Sequence, residues 1–212
     1  MMKVCLTKGV ETESFPYAAH HSQRKQVGIL GGNFNPIHLA HLTVADQVGH
    51  ALGLEKVYLM PESEPPHVDK KPTIAGAHRQ KMIELAIETN PLLAIETSEL
   101  TRGGKSYTYD TMKDLTEQNP DTDYYFIIGG DMVAYLPKWY KIDELSQLVR
   151  FVGVKRSGYP TESPYPIIWI DVPFIDISSS IIRKKLHEGC STNYFLPREV
   201  QNYITKEGLY LD

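Results

Sequence analysis

Short apolar runs alternate with segments of helical period through nearly the whole of this chain, which restricts it to parallel strands joined by crossover helices. Strands are expected over 27–30, 57–60, 93–96, 124–128, 151–154 and 167–170, and helices over 38–52, 75–89, 108–118, 132–136 and 142–148. After residue 170 the rhythm stops. A loop leads into two helix signals, one over 178–187 and one that starts at Pro197 and ends at Gly208, where glycine suits a left-handed cap. The expected fold is α/β: a doubly wound parallel sheet with helices on both faces and two C-terminal helices closing over one edge. A chain of 212 residues can bury one sizeable core, and no internal repeat or Gly/Ser linker marks a second unit. The organisation read from this is one domain over 27–212, preceded by an irregular arm over 1–26 that contains His20 and His21.

The first expected strand, 27–30, runs directly into Gly31-Gly32-Asn33-Phe34-Asn35-Pro36-Ile37-His38-Leu39-Ala40-His41. Paired glycines allow a tight turn, and Pro36 suits the first turn of the following helix. Helical spacing brings His38 and His41 onto one face. The free amides and positive dipole end of such a helix attract an anion, and imidazoles there can donate to it. Phosphate binding is one reading of this segment. A metal pair or two satisfied surface histidines are the others, although a closed zinc site needs three or four protein ligands and no cluster here completes one.

Composition narrows the partners. A balance of 22 Lys and Arg against 26 Asp and Glu gives a net charge of -4, so nothing pulls a nucleic acid polymer toward the whole surface. A small anionic ligand met by a local basic site fits better. Cys5 and Cys190 are the two cysteines, with no Cys-x-x-Cys spacing, which suits a reducing cytoplasm. Charged residues interrupt every short apolar stretch of the arm, and nowhere do about 18 apolar residues run together, so neither a signal peptide nor a membrane span is expected. The expectation is a soluble cytoplasmic protein without a membrane partner, and the sequence leaves room for a homo-oligomer.

A second element opens the helix at 178. Ile177-Ser178-Ser179-Ser180-Ile181-Ile182-Arg183 offers an N-cap serine, further hydroxyls, unsatisfied amides and a guanidinium whose planar fork matches phosphate oxygens. Alone, it also reads as an ordinary capped amphipathic helix. The two elements together resemble the paired signatures of the nucleotidylyltransferase superfamily, Gly-x-Phe-x-Pro-x-His-x-x-His and Ile-Ser-Ser-Thr-x-x-Arg, in the right order and separation. Ser180 stands where Thr is usual, which keeps the hydroxyl. The resemblance implies the Rossmann-like nucleotidylyltransferase fold.

Further segments narrow the family. Pro65-Pro66-His67, Ser106-Tyr107-Thr108-Tyr109-Asp110-Thr111, Phe126-Ile127-Ile128-Gly129-Gly130-Asp131 and Leu136-Pro137-Lys138-Trp139-Tyr140 are similar to the bacterial nicotinate-nucleotide adenylyltransferases, and the similarity covers about 26–210. By its residues alone, Asp131 reads equally as a ribose acceptor or as the N-cap of a helix beginning at Met132, and Trp139-Tyr140 as a stacking platform or as core. The resemblance implies that Asp131 meets ATP, and that Thr108, Trp139 and Tyr140 enclose the nicotinate while loop amides meet its carboxylate. After Pro65-Pro66-His67 related sequences often carry a basic residue, whereas here Val68 follows and Lys70-Lys71 come later. Lys70 is the expected phosphate contact of the mononucleotide, with Lys71 and a solvated loop as alternatives.

The implied reaction transfers the adenylyl group of ATP to nicotinate mononucleotide, giving deamido-NAD and pyrophosphate. A phosphate nucleophile is already ionised at neutral pH, so alignment and charge stabilisation carry catalysis, and no Ser-His-Asp pattern or nucleophile elbow is present. The catalytic set read from this is His38, His41 and Arg183, with His41 on the transferring phosphorus and Arg183, Ser178 and Ser179 on the leaving pyrophosphate. Gly31, Gly32, Asn33, Phe34, Gly129, Asp131 and Ile177 complete the ATP set, and Asn33 also belongs to the mononucleotide set. Mg²⁺ is expected on the nucleotide's phosphates and not in a protein cage. Transfer to nicotinamide mononucleotide, phosphopantetheine or a polyol phosphate is the nearest alternative, a non-catalytic nucleotide-binding regulator a more distant one. A dinucleotide oxidoreductase is disfavoured because 31–36 reads Gly-Gly-Asn-Phe-Asn-Pro and not Gly-x-Gly-x-x-Gly.

Overall fold

The computed structural model describes residues 24–66, 73–155 and 162–211. Six parallel strands form one sheet in the order β3-β2-β1-β4-β5-β6. They are β1 (Lys25–Gly32), β2 (Lys56–Pro61), β3 (Leu93–Ile95), β4 (Thr122–Gly129), β5 (Val149–Val154) and β6 (Ile167–Ile170). The helices are α1 (Leu39–Leu52), α2 (Gly76–Ile87), α3 (Ser98–Arg102), α4 (Thr108–Gln118), α5 (Gly130–Val133), α6 (Ile142–Leu148), α7 (Ser179–His187) and α8 (Arg198–Glu207), with a 3₁₀ turn at Leu136–Lys138.

The strand sequence sorts itself between two cores because successive side chains of a strand point to opposite faces. Leu30, Leu59, Tyr125, Ile127 and Val152 pack on one face with Ala45 and Val48 of α1, Met82 and Ile83 of α2, and Val200 and Ile204 of α8. Ile29, Met60, Phe126, Ile128 and Phe151 face the other way, onto Met112 and Leu115 of α4 and Ile142 and Leu145 of α6. Both faces are covered, which explains why the strands read as continuous apolar runs. β1 lies between β2 and β4, with Val27 opposite Lys56 on one side and Tyr124 on the other. Strand order reverses there. A crevice at the carboxyl ends of β1 and β4 is the ligand position that such a topological switch creates.

All six expected strands and most expected helices are present, and the fold is the expected doubly wound α/β sheet. Four local readings change. Lys25 and Gln26, left in the arm by the sequence, already belong to β1. The helix expected over 132–136 is instead α5, which starts at Gly130, followed by the separate 3₁₀ turn at Leu136–Lys138. Pro137 lies inside that turn, where it cannot donate a backbone hydrogen bond. The helix after the first strand starts at Leu39, so Pro36 precedes its first turn, and the Asn35-Pro36 peptide is cis. α3 went unread because five residues are too few to show a period.

Candidate active site

Gly31 and Gly32 are strand residues, and the turn is made elsewhere. A Cβ at Gly31 would lie 3.2 Å from Phe126 Cζ and one at Gly32 3.3 Å from Phe34 Cζ, so these glycines admit aromatic rings beside the backbone. The left-handed residue is Phe34, at φ 47°, with its ring buried. His38 is the N-cap of α1, in extended conformation, and His41 is the third residue of the helix. Their rings stack with centroids 3.6 Å apart and planes 20° from parallel, and the edge of His41 meets Phe34 at 5.0 Å. The His38 amide donates to His41 Nδ1 at 3.3 Å. In the neutral ring that bond leaves the proton on Nε2, which makes His41 a donor at that atom.

Three backbone carbonyls of this loop are held from other elements. Arg79 of α2 donates to the carbonyl of Asn33 at 2.9 Å, Arg183 of α7 to that of Asn35 at 2.7 Å, and the Ser179 hydroxyl to that of Pro36 at 2.9 Å. Ser178 caps α7 by accepting from the Ile181 amide at 3.3 Å. The start of α7 is thereby docked on the segment that leads into His38. The two elements that the sequence places 148 positions apart meet at one locus.

Beside that junction lies a cavity of about 1180 Å³ at the carboxyl ends of β1, β2 and β4. Among the expected ATP contacts, Gly31, Gly32, Asn33, Gly129, Ser179 and Arg183 line it. Phe34, His38, His41, Asp131, Ile177 and Ser178 do not, and His38 is buried. Asp131 is not the N-cap of a helix starting at Met132: α5 begins two residues earlier, at Gly130, Gly129 is its N-cap, and Asp131 lies within the first turn. Among the expected mononucleotide contacts, Asn33, Thr108, Trp139 and Tyr140 line the cavity. Lys70 lies outside the described residues, as do Lys71 and His67. No three His, Cys, Asp or Glu side chains among the described residues converge as metal ligands.

The aromatic wall is more tightly built than a free platform would be. Trp139 meets Phe126 edge-on at 5.9 Å and Phe151 at 6.3 Å, which ties it into the α4/α6 core. Tyr140 packs on Tyr107 at 4.7 Å, and the Lys141 ammonium lies 4.6 Å from the centre of the Tyr109 ring. Thr108 is the first residue of α4, where helical amides lack internal partners and face an anion well.

The lining also includes Glu62, Arg79, Glu99 and Ser106, and of these the sequence marked only Ser106, within its Ser-Tyr-Thr segment. Arg79, 2% exposed, also donates to the Glu62 carbonyl at 2.7 Å. Burial lowers its affinity for the proton, and the neighbouring Glu62 charge works the other way. The Glu62 carboxyl is pushed up to about 7 by burial and by Glu99, against the pull of Arg79. Burial also raises Glu99, while a 2.9 Å hydrogen bond from the Thr111 hydroxyl opposes it. A buried arginine on a helix gives no periodic signal of its own, and only the contrast between its charge and the apolar positions Met82 and Ile83 nearby could have drawn attention to it.

Comparison with known proteins agrees with this geometry. Residues 29–185 match the family described as cytidylyltransferase-like. A protein of Enterococcus faecalis named "Probable nicotinate-nucleotide adenylyltransferase" is 67% identical over 89% of this chain and 86% of its own length. One of the same name from Streptococcus pneumoniae is 66% identical over 89% of this chain and 90% of its own. The Plasmodium falciparum nicotinic acid mononucleotide adenylyltransferase complexed with NaAD shares the fold at a TM-score of 0.74 and 24% identity, covering 88% of this chain and 98% of that one. No helix among the described residues is long and apolar enough to cross a membrane. By sequence and by fold, this chain belongs to the cytidylyltransferase-like nucleotidyltransferases and, within them, to the nicotinate-nucleotide adenylyltransferases.

Proposed function

We propose that the protein transfers the adenylyl group of ATP to nicotinate mononucleotide, giving deamido-NAD and pyrophosphate in NAD biosynthesis. The observation that carries the reading is the Arg183 to Asn35 bond of 2.7 Å, which joins the guanidinium end of α7 to the loop before the histidine pair at the edge of one cavity. An oxygen of the mononucleotide phosphate attacks the α-phosphorus of ATP, the bond to the bridging oxygen breaks, and pyrophosphate leaves with that electron pair. No covalent enzyme intermediate is required, so the protein's part is alignment and charge stabilisation.

In this reading His41 donates through Nε2 to the transferring phosphoryl group, and His38 holds the tautomer that makes it a donor. Arg183, with the amides of Ser178 and Ser179 and the Ser178 hydroxyl, receives the leaving pyrophosphate, while the Ser179 hydroxyl stays on the Pro36 carbonyl. Gly31, Gly32 and Asn33, which line the cavity, meet the triphosphate through the backbone at the end of β1, and Phe34 sets the loop. Gly129, Asp131 and Ile177 belong to the adenosine side. Mg²⁺ bound with ATP would supply positive charge that offsets the phosphates, alongside Arg183.

Nicotinate is assigned to the part of the cavity lined by Trp139, Tyr140 and the start of α4, with its carboxylate on the amides at Thr108. Amide donors suit the acid, whereas the nicotinamide form would bring its own donors against them and leave buried groups unpaired. Asn33 and Lys70 are assigned to the phosphate end of the mononucleotide. The reaction is set in the cytoplasm, with ATP and the mononucleotide as the small-molecule partners.

The test is pyrophosphate release with ATP and Mg²⁺ against two acceptors. Nicotinate mononucleotide should be used with a kcat/KM at least about tenfold above that of nicotinamide mononucleotide, the scale of one mismatched polar contact. Preference for the amide, or for phosphopantetheine, would assign the chain a different acceptor.

A further inference from the structure

We infer that Tyr210 is a positioning residue for the triphosphate site, fixing the Asn35 side chain and through it the carbonyl on which Arg183 rests. The inference rests on the reading of Arg183 as a triphosphate contact. Tyr210 lies 175 positions from Asn35, and its hydroxyl donates to Asn35 Oδ1 at 2.7 Å. Asn35 is 3% exposed and is the residue whose carbonyl receives the Arg183 guanidinium. One side chain therefore holds the residue from one end of the amide while Arg183 holds it from the backbone.

The chain makes two left-handed residues to deliver this hydroxyl. α8 ends at Gly208, φ 62°, and Tyr210 itself sits at φ 66°, a conformation rare for a residue with a Cβ. Leu209 and the Tyr210 ring pack on the same core as α1, α2 and α8, so the tail is anchored without the hydroxyl. What the hydroxyl adds is direction at Asn35. Burial pushes the phenol well above its ordinary range, so it stays protonated and donates, although the nearby Arg183 and Arg79 charges pull the other way. The phenol thus stands near both arginines that hold this loop's carbonyls. A tie that only secured the tail would not need to end on the residue that carries the site's guanidinium contact.

Tyr210→Phe removes the one oxygen and keeps the ring. Its expected effects are a fivefold to tenfold loss in kcat and a comparable weakening of binding to a non-hydrolysable ATP analogue, the size of one net hydrogen bond. The KM for nicotinate mononucleotide should stay close to the parent's, and the melting temperature should fall by only about 2–4 °C, the scale of one buried hydrogen bond. In a cycle with Arg183→Lys, the double variant should lose clearly less than the product of the single losses, because both changes act on one contact. Unchanged kcat and analogue binding in Tyr210→Phe, or losses that multiply in full with those of Arg183→Lys, would overturn the inference. If the parent binds the analogue but rejects nicotinate mononucleotide, the acceptor reading fails while the binding cycle still decides on Tyr210. If the parent fails to bind the analogue at all, the triphosphate reading and this inference fall together.

Discussion

The Arg183 guanidinium donates to the Asn35 carbonyl at 2.7 Å, so the middle of α7 is tied to the loop three residues upstream of His38. Residues 148 positions apart are thereby brought into contact. A site built this way is preorganised: the donors are in position before charge develops, which is where such groups act most strongly.

His41 is placed to lose the most when truncated. Its Nδ1 is occupied by the His38 amide, leaving Nε2 as the donor, so under the proposed mechanism alanine removes a directed contact to the transferring group. Turnover in His41→Ala should fall by about two to three powers of ten. Steady-state kinetics checks this, with circular dichroism confirming the fold. A variant that keeps near-parental kcat would remove His41 from the site.

Arg79 holds the first loop from below through carbonyls of Asn33 and Glu62. Replacing it with Met leaves those buried oxygens without their donor, at a cost of about 2–4 kcal/mol in unfolding free energy. Urea denaturation should show the lower midpoint with an unchanged slope. A change below about 0.5 kcal/mol would mean that the carbonyls find other partners.

Glu62 predicts a pH dependence. Its carboxyl titrates near 7 in the folded chain against 4.5 as the ordinary value, because burial and Glu99 disfavour the charge. The folded state therefore binds the proton more tightly than the unfolded one. The associated stability is fully present below the unfolded value and is lost as pH rises through about 7, by up to about 3 kcal/mol. Over the same range an extra negative charge appears on the wall of a cavity meant for anions, so the KM for the mononucleotide should rise. Glu62→Gln should flatten both trends. Parallel trends in parent and variant would assign them to other groups.

What the sequence revealed and what it hid divide along physical lines. The strands were legible because both sheet faces are covered and each strand is a run such as Phe126-Ile127-Ile128. The end of α8 was legible because Gly208 carries the left-handed cap. Local pattern misplaced the turn after β1, since glycines suggested it at 31 and 32 while Phe34 makes it and the helix waits until Leu39. Phe34 adopts that conformation because its ring is buried between Gly32 and His41, a tertiary contact that no dipeptide signals. Arg79, Glu62 and Tyr210 were missed for the same reason. Their roles consist of bonds to residues 17 to 175 positions away or of burial beneath other elements, and neither leaves a periodic trace. Glu62 and Arg79 are only 17 apart, yet their contact too depends on how β2 and α2 pack.

A crystal structure with a non-hydrolysable ATP analogue and Mg²⁺ tests the shared triphosphate site most directly. The account predicts one triphosphate at the mouth of the cavity, with His41 Nε2 at hydrogen-bonding distance from the α-phosphate and the Arg183 guanidinium on the β- and γ-phosphates. A triphosphate bound clear of either side chain would contradict it.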